Sequence, residues 1–257
     1  MQKKRLDTLL VENGLVESIE SARALIGAGR VLVDGQLRDK VGAQFKSDCT
    51  VEVKEKQPYV SRGGLKLEAG LEYFGIDPKG MVCADIGCST GGFTDCLLQK
   101  GAARVYSVDV GYGVLDWKLR QDNRVVVLER KNARYLTSED IPEWVNLAVV
   151  DASFISLELL LEPMSRLFDG SISILALVKP QFELPREKVT AGGVIRESAL
   201  HKEALEKVSE FASSQGLTSR GIVDSPIKGA KGNREFLMHI VGSIENKRTT
   251  LEQSELE

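Results

Sequence analysis

Short apolar runs recur along most of the chain, and the stretches between them carry apolar residues at helical spacing. Five of these runs are rich in β-branched residues and predict buried strands, at residues 82–86, 105–110, 125–128, 147–150 and 172–178. Strands that alternate with helices form a mostly parallel sheet that is covered on both faces. The pattern therefore predicts a doubly wound α/β domain, with an edge hairpin from the stretches near 225–227 and 235–241.

The first sixty residues follow a different pattern. An apolar stripe from Leu6 to Leu10, followed by Gly14, predicts one short helix, and Ser18 is suited to cap a second. Residues 31–33 and 51–53 read as strands, and the Asp-Gly pair at 34–35 predicts a tight turn. We expect this small α+β domain and its linker to span residues 1–59, the α/β domain to span 60–245, and residues 246–257 to form a polar, disordered tail.

The composition excludes several classes of protein. The four cysteines form no C-x-x-C pair, and the two distant histidines cannot complete a zinc site with them, so we expect no metal and no disulfide framework. No apolar run approaches the roughly 20 residues that cross a bilayer. We therefore expect a soluble, cytoplasmic protein with no membrane partner.

A glycine-rich segment follows the first strand of the α/β domain. It reads DIGCSTGGF over residues 85–93, and Asp109 ends the next strand. In doubly wound folds a carboxylate at that second position accepts hydrogen bonds from ribose hydroxyls. The glycine spacing departs from the dinucleotide pattern. Asp85 would repel a pyrophosphate but suits the ammonium and sulfonium end of S-adenosylmethionine, directly or through water.

The segment therefore predicts a site for S-adenosylmethionine, with a simple chain-reversing turn as the alternative. Asn132 follows the third strand and can reach an adenine or serve as a turn residue. The candidate cofactor-binding residues are Asp85, Gly87, Ser89, Gly91, Gly92, Phe93, Asp109 and Asn132.

Four motifs of the second domain resemble the TlyA-type rRNA methyltransferases, some of which carry the name hemolysin A, within the larger FtsJ-like group. They read SRGGLKL at 61–67, DIGCSTGGFTD at 85–95, VDASFIS at 150–156 and LVKPQFE at 177–183. The first domain resembles the S4 RNA-binding module in RLDTLL, GLVES, ARALI and GRVLVDG, which begin at residues 5, 14, 22 and 29. The resemblance implies a Rossmann-like methyltransferase fold with a mostly parallel seven-stranded sheet, preceded by an S4 domain.

The resemblance also implies an activity, 2'-O-methylation of a cytidine ribose in 23S rRNA and sometimes in 16S rRNA. It assigns a Lys-Asp-Lys-Glu tetrad to Lys66, Asp151, Lys179 and Glu235. A ribose hydroxyl is a poor nucleophile near neutral pH, so its proton needs an acceptor. A desolvated lysine near a second cation releases its proton more readily, which makes Lys179 the candidate general base. Lys66 would hold the ribose, and the two acids would orient the lysines.

Each of these residues also has an ordinary interpretation. Lys66 could be a solvated surface lysine, Asp151 a helix cap, and Glu235 a charge on an edge strand. Phe154 and Phe182 could stack on a base or belong to the core.

The charge distribution bears on the expected partner, which is rRNA or a ribosomal subunit. The net charge of −3 argues against nucleic acid, but residues 1–66 hold 12 basic and nine acidic side chains. We predict RNA contacts from Lys4, Arg5, Arg23, Arg30 and Arg62, against the alternative of a mixed-charge surface. One departure from the S4 pattern is Ile19, where an arginine commonly follows the capping serine. The competing functions are a non-enzymatic RNA-binding or ribosome-assembly factor and a hemolysin.

Overall fold

The computed structural model describes residues 3–54 and 57–244. The chain divides into two compact units, with the boundary between Gln57 and Pro58. Each unit is described by itself. The predicted tail, residues 246–257, lies outside the described residues, as does residue 245.

The first unit combines two helices with two small sheets. Its elements are β1 (Lys3–Arg5), α1 (Leu6–Glu12), α2 (Ile19–Gly27), β2 (Val31–Val33), β3 (Gln36–Arg38), β4 (Gln44–Lys46) and β5 (Val51–Val53). Strand β1 pairs with β4, while β2 pairs with β3 on one side and β5 on the other, all antiparallel. The predicted helices and the strands at 31–33 and 51–53 are confirmed, and β1, β3 and β4 are additions.

Local signals explain these boundaries. Ser18 caps α2, since its side chain accepts a hydrogen bond from the backbone N–H of Ser21. Between β2 and β3, Asp34 and Gly35 have φ values of 49° and 75°, the left-handed pair that a two-residue hairpin requires. A core that includes Leu6, Ile26 and Val31 buries the inner faces of both helices against the β2 sheet.

The second unit is a seven-stranded sheet with helices on both faces. Its strands are β6 (Val82–Ile86), β7 (Arg104–Val108), β8 (Val125–Leu128), β9 (Leu147–Val150), β10 (Gly170–Val178), β11 (Thr218–Asp224) and β12 (Phe236–Ile244). Its helices are α3 (Gly63–Phe74), α4 (Gly92–Gln99), α5 (Trp117–Arg120), α6 (Glu158–Ser165), α7 (Pro180–Glu183) and α8 (Ser198–Ser214). Short 3-10 turns occupy Ala133–Tyr135, Arg186–Lys188 and Ala230–Gly232.

The strand order is β11-β12-β10-β9-β6-β7-β8; β12 runs antiparallel to both of its neighbours, and the other six strands run in one direction. Alternation along β9 shows why the strands are apolar throughout. Ala148 and Val150 join a core that includes residues of α6 and α8, while Leu147 and Val149 join a second core with α3 and α4. The predicted α/β class and the mostly parallel sheet are confirmed.

Two boundaries differ from the sequence-based expectation. The edge hairpin exists, but its first strand is β11, which ends before Ser225, and β12 lies inside the sheet between β10 and β11. Strand β7 stops at Val108 because the next side chain, Asp109, turns to accept hydrogen bonds from nearby loop amides. No helix in the described part of the chain is both long and apolar enough to cross a membrane.

Candidate active site

The carboxyl ends of β6, β7 and β9 meet at one edge of the sheet and line a cavity of about 380 Å³. Open parallel sheets bind their ligands at this edge, where the strand order reverses. We call this space the first cavity. Among the candidate residues, it is lined by Gly87, Ser89, Asp109, Asn132 and Asp151.

The loop after β6 needs glycine at its first turn. Gly87 has φ of 84°, and a Cβ there would lie 3.0 Å from Ala152 Cα and from the Asp151 carbonyl oxygen. The backbone N–H of Gly87 also donates to the Val108 carbonyl, which ties the loop to β7. The loop therefore passes close against the end of β9, and the side chain of any other residue would push the two apart.

Asp109 is fixed from two sides. One carboxylate oxygen accepts from the N–H of Ser89 at 2.8 Å, and the other accepts from the N–H of Gly111 at 2.7 Å. Each oxygen keeps a lone pair for a further donor. A ribose hydroxyl in the first cavity can supply that donor. Asn132 serves as a turn residue, since its side chain caps the following 3-10 turn through Arg134 N–H; it also lines the cavity, and its contact with an adenine stays a prediction.

Asp85 is placed differently from the expectation. It is fully buried and lines neither the first cavity nor the smaller cavity beside it. One of its carboxylate oxygens accepts hydrogen bonds from both the N–H and the hydroxyl of Thr94 in α4. Burial raises the pKa of Asp85 to about 7, although the Thr94 hydrogen bonds oppose the shift and Asp151 adds to it. Asp85 thus holds the start of α4 through one oxygen, and its side chain does not line the cavities in which the ammonium group was expected.

The other glycines of the loop divide by role. Gly91 has φ of 95°, and a side chain there would collide with Leu115 and Leu119, so its place is set by packing. Gly92 and Phe93 line a second cavity of about 220 Å³, together with Arg62, Lys66 and Asp151. The two cavities share Gly87, Ser89 and Asp151 and are therefore neighbours.

Two lysine–carboxylate pairs flank the second cavity. Lys66 Nζ lies 2.6 Å from Glu235 Oε2, and Lys179 Nζ lies 2.6 Å from Asp151 Oδ1. Lys66, Lys179 and Glu235 are each less than 10% exposed. The ordinary interpretations of Lys66 and Glu235 are therefore wrong. Lys66 is not a solvated surface lysine, and Glu235 precedes an internal strand and not an edge strand. Buried charges of this kind persist only when they are paired.

Three oxygens surround the ammonium group of Lys179. Its Nζ donates to the Ser153 hydroxyl at 2.8 Å and to the Asp151 carbonyl at 3.3 Å, and it forms an ion pair with Asp151 Oδ1 at 2.6 Å. An ammonium group has three N–H donors and no lone pair. The sequence did not identify Ser153 as a partner; its position two residues after Asp151 at the strand end was the available signal.

Phe154 lies in the same loop and is 90% exposed, so it is not a core residue. It has a left-handed φ of 65°, and its ring centroid lies 5.1 Å from that of Phe182. Both rings line a third cavity of about 860 Å³, whose basic lining residues are Arg134, Arg186 and Lys231. These three cations come from three separate turns of the chain, so no sequence motif groups them.

In the first unit, most of the predicted RNA contacts pair with acids. Asp7 is only 1% exposed and binds both Arg5, at 2.8 Å, and Arg23, at 3.2 Å, so these two arginines lie together, and their contact with RNA stays a prediction. Lys4 pairs with Glu12 at 2.7 Å. Arg30 is held apart, because it donates to the carbonyl oxygen of Lys54.

Comparison with known proteins decides the family. Residues 59–241 match the FtsJ-like methyltransferase family, and residues 4–48 match the S4 domain. The chain belongs to the FtsJ-like methyltransferase family. It is 43% identical over 239 residues to the 16S/23S rRNA (cytidine-2'-O)-methyltransferase TlyA of Mycobacterium tuberculosis, covering 92% of this chain and 89% of that one.

Two further FtsJ-like relatives agree. A candidate rRNA methyltransferase of Bacillus subtilis, YqxC, is 47% identical over 241 residues, which cover 93% of this chain and 86% of that protein. The solved structure of a hemolysin candidate from Streptococcus thermophilus superposes with a TM-score of 0.73 at 41% identity, covering all of both chains. The TlyA-type resemblance, the S4 domain and the methyltransferase fold are confirmed.

An FtsJ-like methyltransferase takes its methyl group from S-adenosylmethionine, which confirms the predicted cofactor. The first cavity fits this molecule. Asp109 lies there as a fixed carboxylate for ribose hydroxyls, and Val108, Ala133 and Leu160 provide apolar walls for a flat base. Gly87 keeps the loop backbone free of a side chain where the two cavities meet.

The first prediction concerns this loop. Replacement Gly87→Ala should reduce affinity for S-adenosylmethionine by at least about tenfold, because the added methyl meets the backbone at the end of β9 and displaces the loop. Calorimetric titration measures the affinity. Gly80→Ala is the matched control, since Gly80 has φ of 73° with nothing within 4 Å of its Cβ position. Equal affinity in both variants would show that the close approach at Gly87 is unimportant.

The second prediction concerns Asp7. The hydrogen bond from Arg5 holds the pKa of Asp7 well below its usual range against the effect of burial, and Arg23 adds to this. Asp7→Asn should therefore destabilise the first unit, by about 1 kcal/mol because both arginines are half exposed. Exposed Asp39→Asn is the control.

The pH dependence follows from the lowered pKa of Asp7. Its stabilising effect is complete above the unfolded value of about 4 and is lost only as the pH falls toward the lower folded value. Thermal unfolding of the whole chain should thus show a constant Asp7→Asn deficit from neutral pH down to about pH 4. A deficit that disappears well above that pH would contradict the assignment.

Proposed function

We propose that this chain transfers a methyl group from S-adenosylmethionine to the 2'-hydroxyl of a cytidine ribose in rRNA. The observation that carries the proposal is the meeting of two lysine–carboxylate pairs at the second cavity, directly beside the first. The 2'-hydroxyl and cytidine specificity named for the Mycobacterium tuberculosis relative supports the choice of substrate.

The reaction forms a bond between the ribose oxygen and the methyl carbon while the bond from that carbon to sulfur breaks. When bound, the cofactor supplies an electrophilic methyl group on a positively charged sulfur. The hydroxyl must lose its proton, and oxygen, carbon and sulfur must lie in line. Holding the reactants in that geometry removes much of the entropic part of the barrier.

Lys179 and Asp151 act together as the proton acceptor in this proposal. In the resting arrangement Nζ is an ammonium group with no lone pair; it donates hydrogen bonds to two oxygens and forms an ion pair with Asp151 Oδ1. A lone pair becomes available when one proton moves along the 2.6 Å contact to Asp151. Nζ then takes the hydroxyl proton, and the pair as a whole has gained one proton. This refines the role of Lys179 as a lone general base.

In this proposal Lys66 is the residue that holds the ribose of the substrate. It lines the second cavity, and its ammonium group is held by the buried Glu235 carboxylate. A cation at that place stabilises negative charge as it develops on the attacking oxygen. Glu235 keeps the ammonium group in one orientation and compensates its charge.

The target nucleotide must leave its base stack before its ribose can enter such a cavity. The exposed ring of Phe154, at the junction of the first and third cavities, offers a stacking surface for an unstacked base. The S4 unit supplies salt-dependent RNA contacts through Lys4, Arg5 and Arg23. Since rRNA is the substrate, the protein acts in the cytoplasm.

The alternatives draw less support. A non-enzymatic assembly factor has no use for two buried ion pairs beside a cofactor cavity, since such pairs are costly to bury. The hemolysin interpretation rests on names given to relatives, and nothing in the two pairs requires a membrane.

The third prediction tests the catalytic pair. Lys179→Ala should retain affinity for S-adenosylmethionine, because the side chain does not line the first cavity, and should lose methyl transfer to rRNA by at least about 100-fold. Transfer of labelled methyl to purified ribosomal subunits measures the rate. The matched control is Lys188→Ala, an exposed lysine that pairs with Glu203. Full activity of Lys179→Ala would refute its role as proton acceptor.

The fourth prediction tests the stacking surface. Phe154→Ala should lower the efficiency of methyl transfer by about 10-fold, since stacking contributes ~1–3 kcal/mol per base, with unchanged cofactor affinity. Tyr73→Ala serves as control, because Tyr73 is a 63% exposed aromatic residue on α3. If both variants methylate rRNA as fast as the unmodified chain, the exposed ring does not contact the substrate.

A further inference from the structure

Two chain segments that carry catalytic candidates run side by side at the edge of the sheet. One is the loop 151–157 after β9, and the other is 179–183, which follows β10 and contains α7. Lys179 contacts Asp151 and Ser153 at the start of both segments, and the Phe182 ring contacts Phe154 further along. A third contact, made by Glu183, closes the far end.

Glu183 is the least explained of these groups. It is only 3% exposed and lines none of the three cavities. Its Oε2 accepts from the Ser156 hydroxyl at 2.6 Å, and its Oε1 accepts from the Leu157 N–H at 3.1 Å. Both carboxylate oxygens thus accept hydrogen bonds from the last residues of the loop, just before α6 begins.

Burial of a carboxylate at this position is energetically unfavourable. Burial raises the pKa of Glu183 above its ordinary value, although its two hydrogen bonds oppose the shift. Lys207, which donates to the Glu183 carbonyl oxygen, and Glu158, which pairs with Lys207, are the nearby charged groups. An apolar residue would fill the space at lower cost, so the carboxylate is retained for the bonds that it makes.

The loop needs such a restraint. Phe154 has a left-handed φ of 65°, a backbone conformation that is unfavourable for residues other than glycine. Strained residues persist where the surrounding contacts over-determine the backbone. Here the backbone is held before Phe154 by the Lys179 contacts and after it by Glu183.

We propose that Glu183 is a positioning residue for methyl transfer: its carboxylate fixes the loop 151–157 so that Asp151 and Ser153 meet Lys179. The proposal rests on the proposed function, because the role it gives Glu183 is to hold in place the Lys179–Asp151 pair, which accepts the proton in that reaction. It acts at a distance, through the loop, and touches neither ribose nor cofactor.

The test replaces one carboxylate oxygen by an amide nitrogen. In Glu183→Gln the negative charge is lost and one oxygen remains to accept, so the bond with the Ser156 hydroxyl must reverse its direction and both loop bonds lose their charge assistance, while the shape of the side chain is kept. With saturating cofactor and ribosomal subunits, the single-turnover rate of methyl transfer should fall by about 10- to 100-fold. The affinity for S-adenosylmethionine and the KM for the subunits should change by less than about twofold, because neither binding surface is altered.

Glu158→Gln is the matched control. Glu158 lies at the adjoining end of α6 and pairs with Lys207, but its carboxylate has no contact with the loop. Its single-turnover rate should equal that of the unmodified chain. A second variant, Ser156→Ala, removes one donor to Glu183 and should slow the rate in the same way, and the double variant Ser156→Ala with Glu183→Gln should be slowed by less than the product of the two single effects.

The outcomes separate the two proposals. If the unmodified chain transfers no methyl group to rRNA, the proposed function fails. If it is active and Glu183→Gln matches its rate, or loses rate only in proportion to a loss of cofactor affinity, the positioning role fails. A selective loss of rate in Glu183→Gln, with the non-additive double variant, supports it.

Discussion

The active edge of this protein depends on the parallel pairing of β9 with β10. Ala176 of β10 lies opposite Val150, the last residue of β9, and β10 continues for two more residues to Val178. Asp151 and Lys179 directly follow the ends of these two strands and meet at 2.6 Å. A shift of the register by one residue would send each side chain to the other face. It would leave the buried Lys179 ammonium group without its carboxylate partner, which is far costlier than burying it as part of a pair.

The second ion pair joins more distant parts of the fold. Lys66 comes from α3, near the start of the unit, and Glu235 lies just before β12, near its end. Since β12 is internal, both partners are held by packed elements, and neither depends on a mobile surface. The unit thus holds one lysine–carboxylate pair on each of two independent supports, and each pair contributes one residue, Lys66 or Asp151, to the lining of the second cavity.

Much of this arrangement could be predicted from the sequence. The parallel strands could be predicted from their runs of β-branched residues. The position of Asp109 at the cofactor edge could be predicted because it follows the second of these runs. The direction of Asp85 could not be foreseen, because it depends on Thr94, a residue of the next helix. The contacts of Ser153, Phe154 and Glu183 could not be predicted either, because they join two segments that come close only after β9 and β10 have paired.

The central claim is that this chain methylates a ribose of rRNA at the 2'-oxygen. Mapping of 2'-O-methyl groups on 16S and 23S rRNA, from cells with and without the gene, tests it most directly. The account predicts at least one cytidine that carries the methyl group only when the gene is present. Identical methylation maps from the two strains would contradict it.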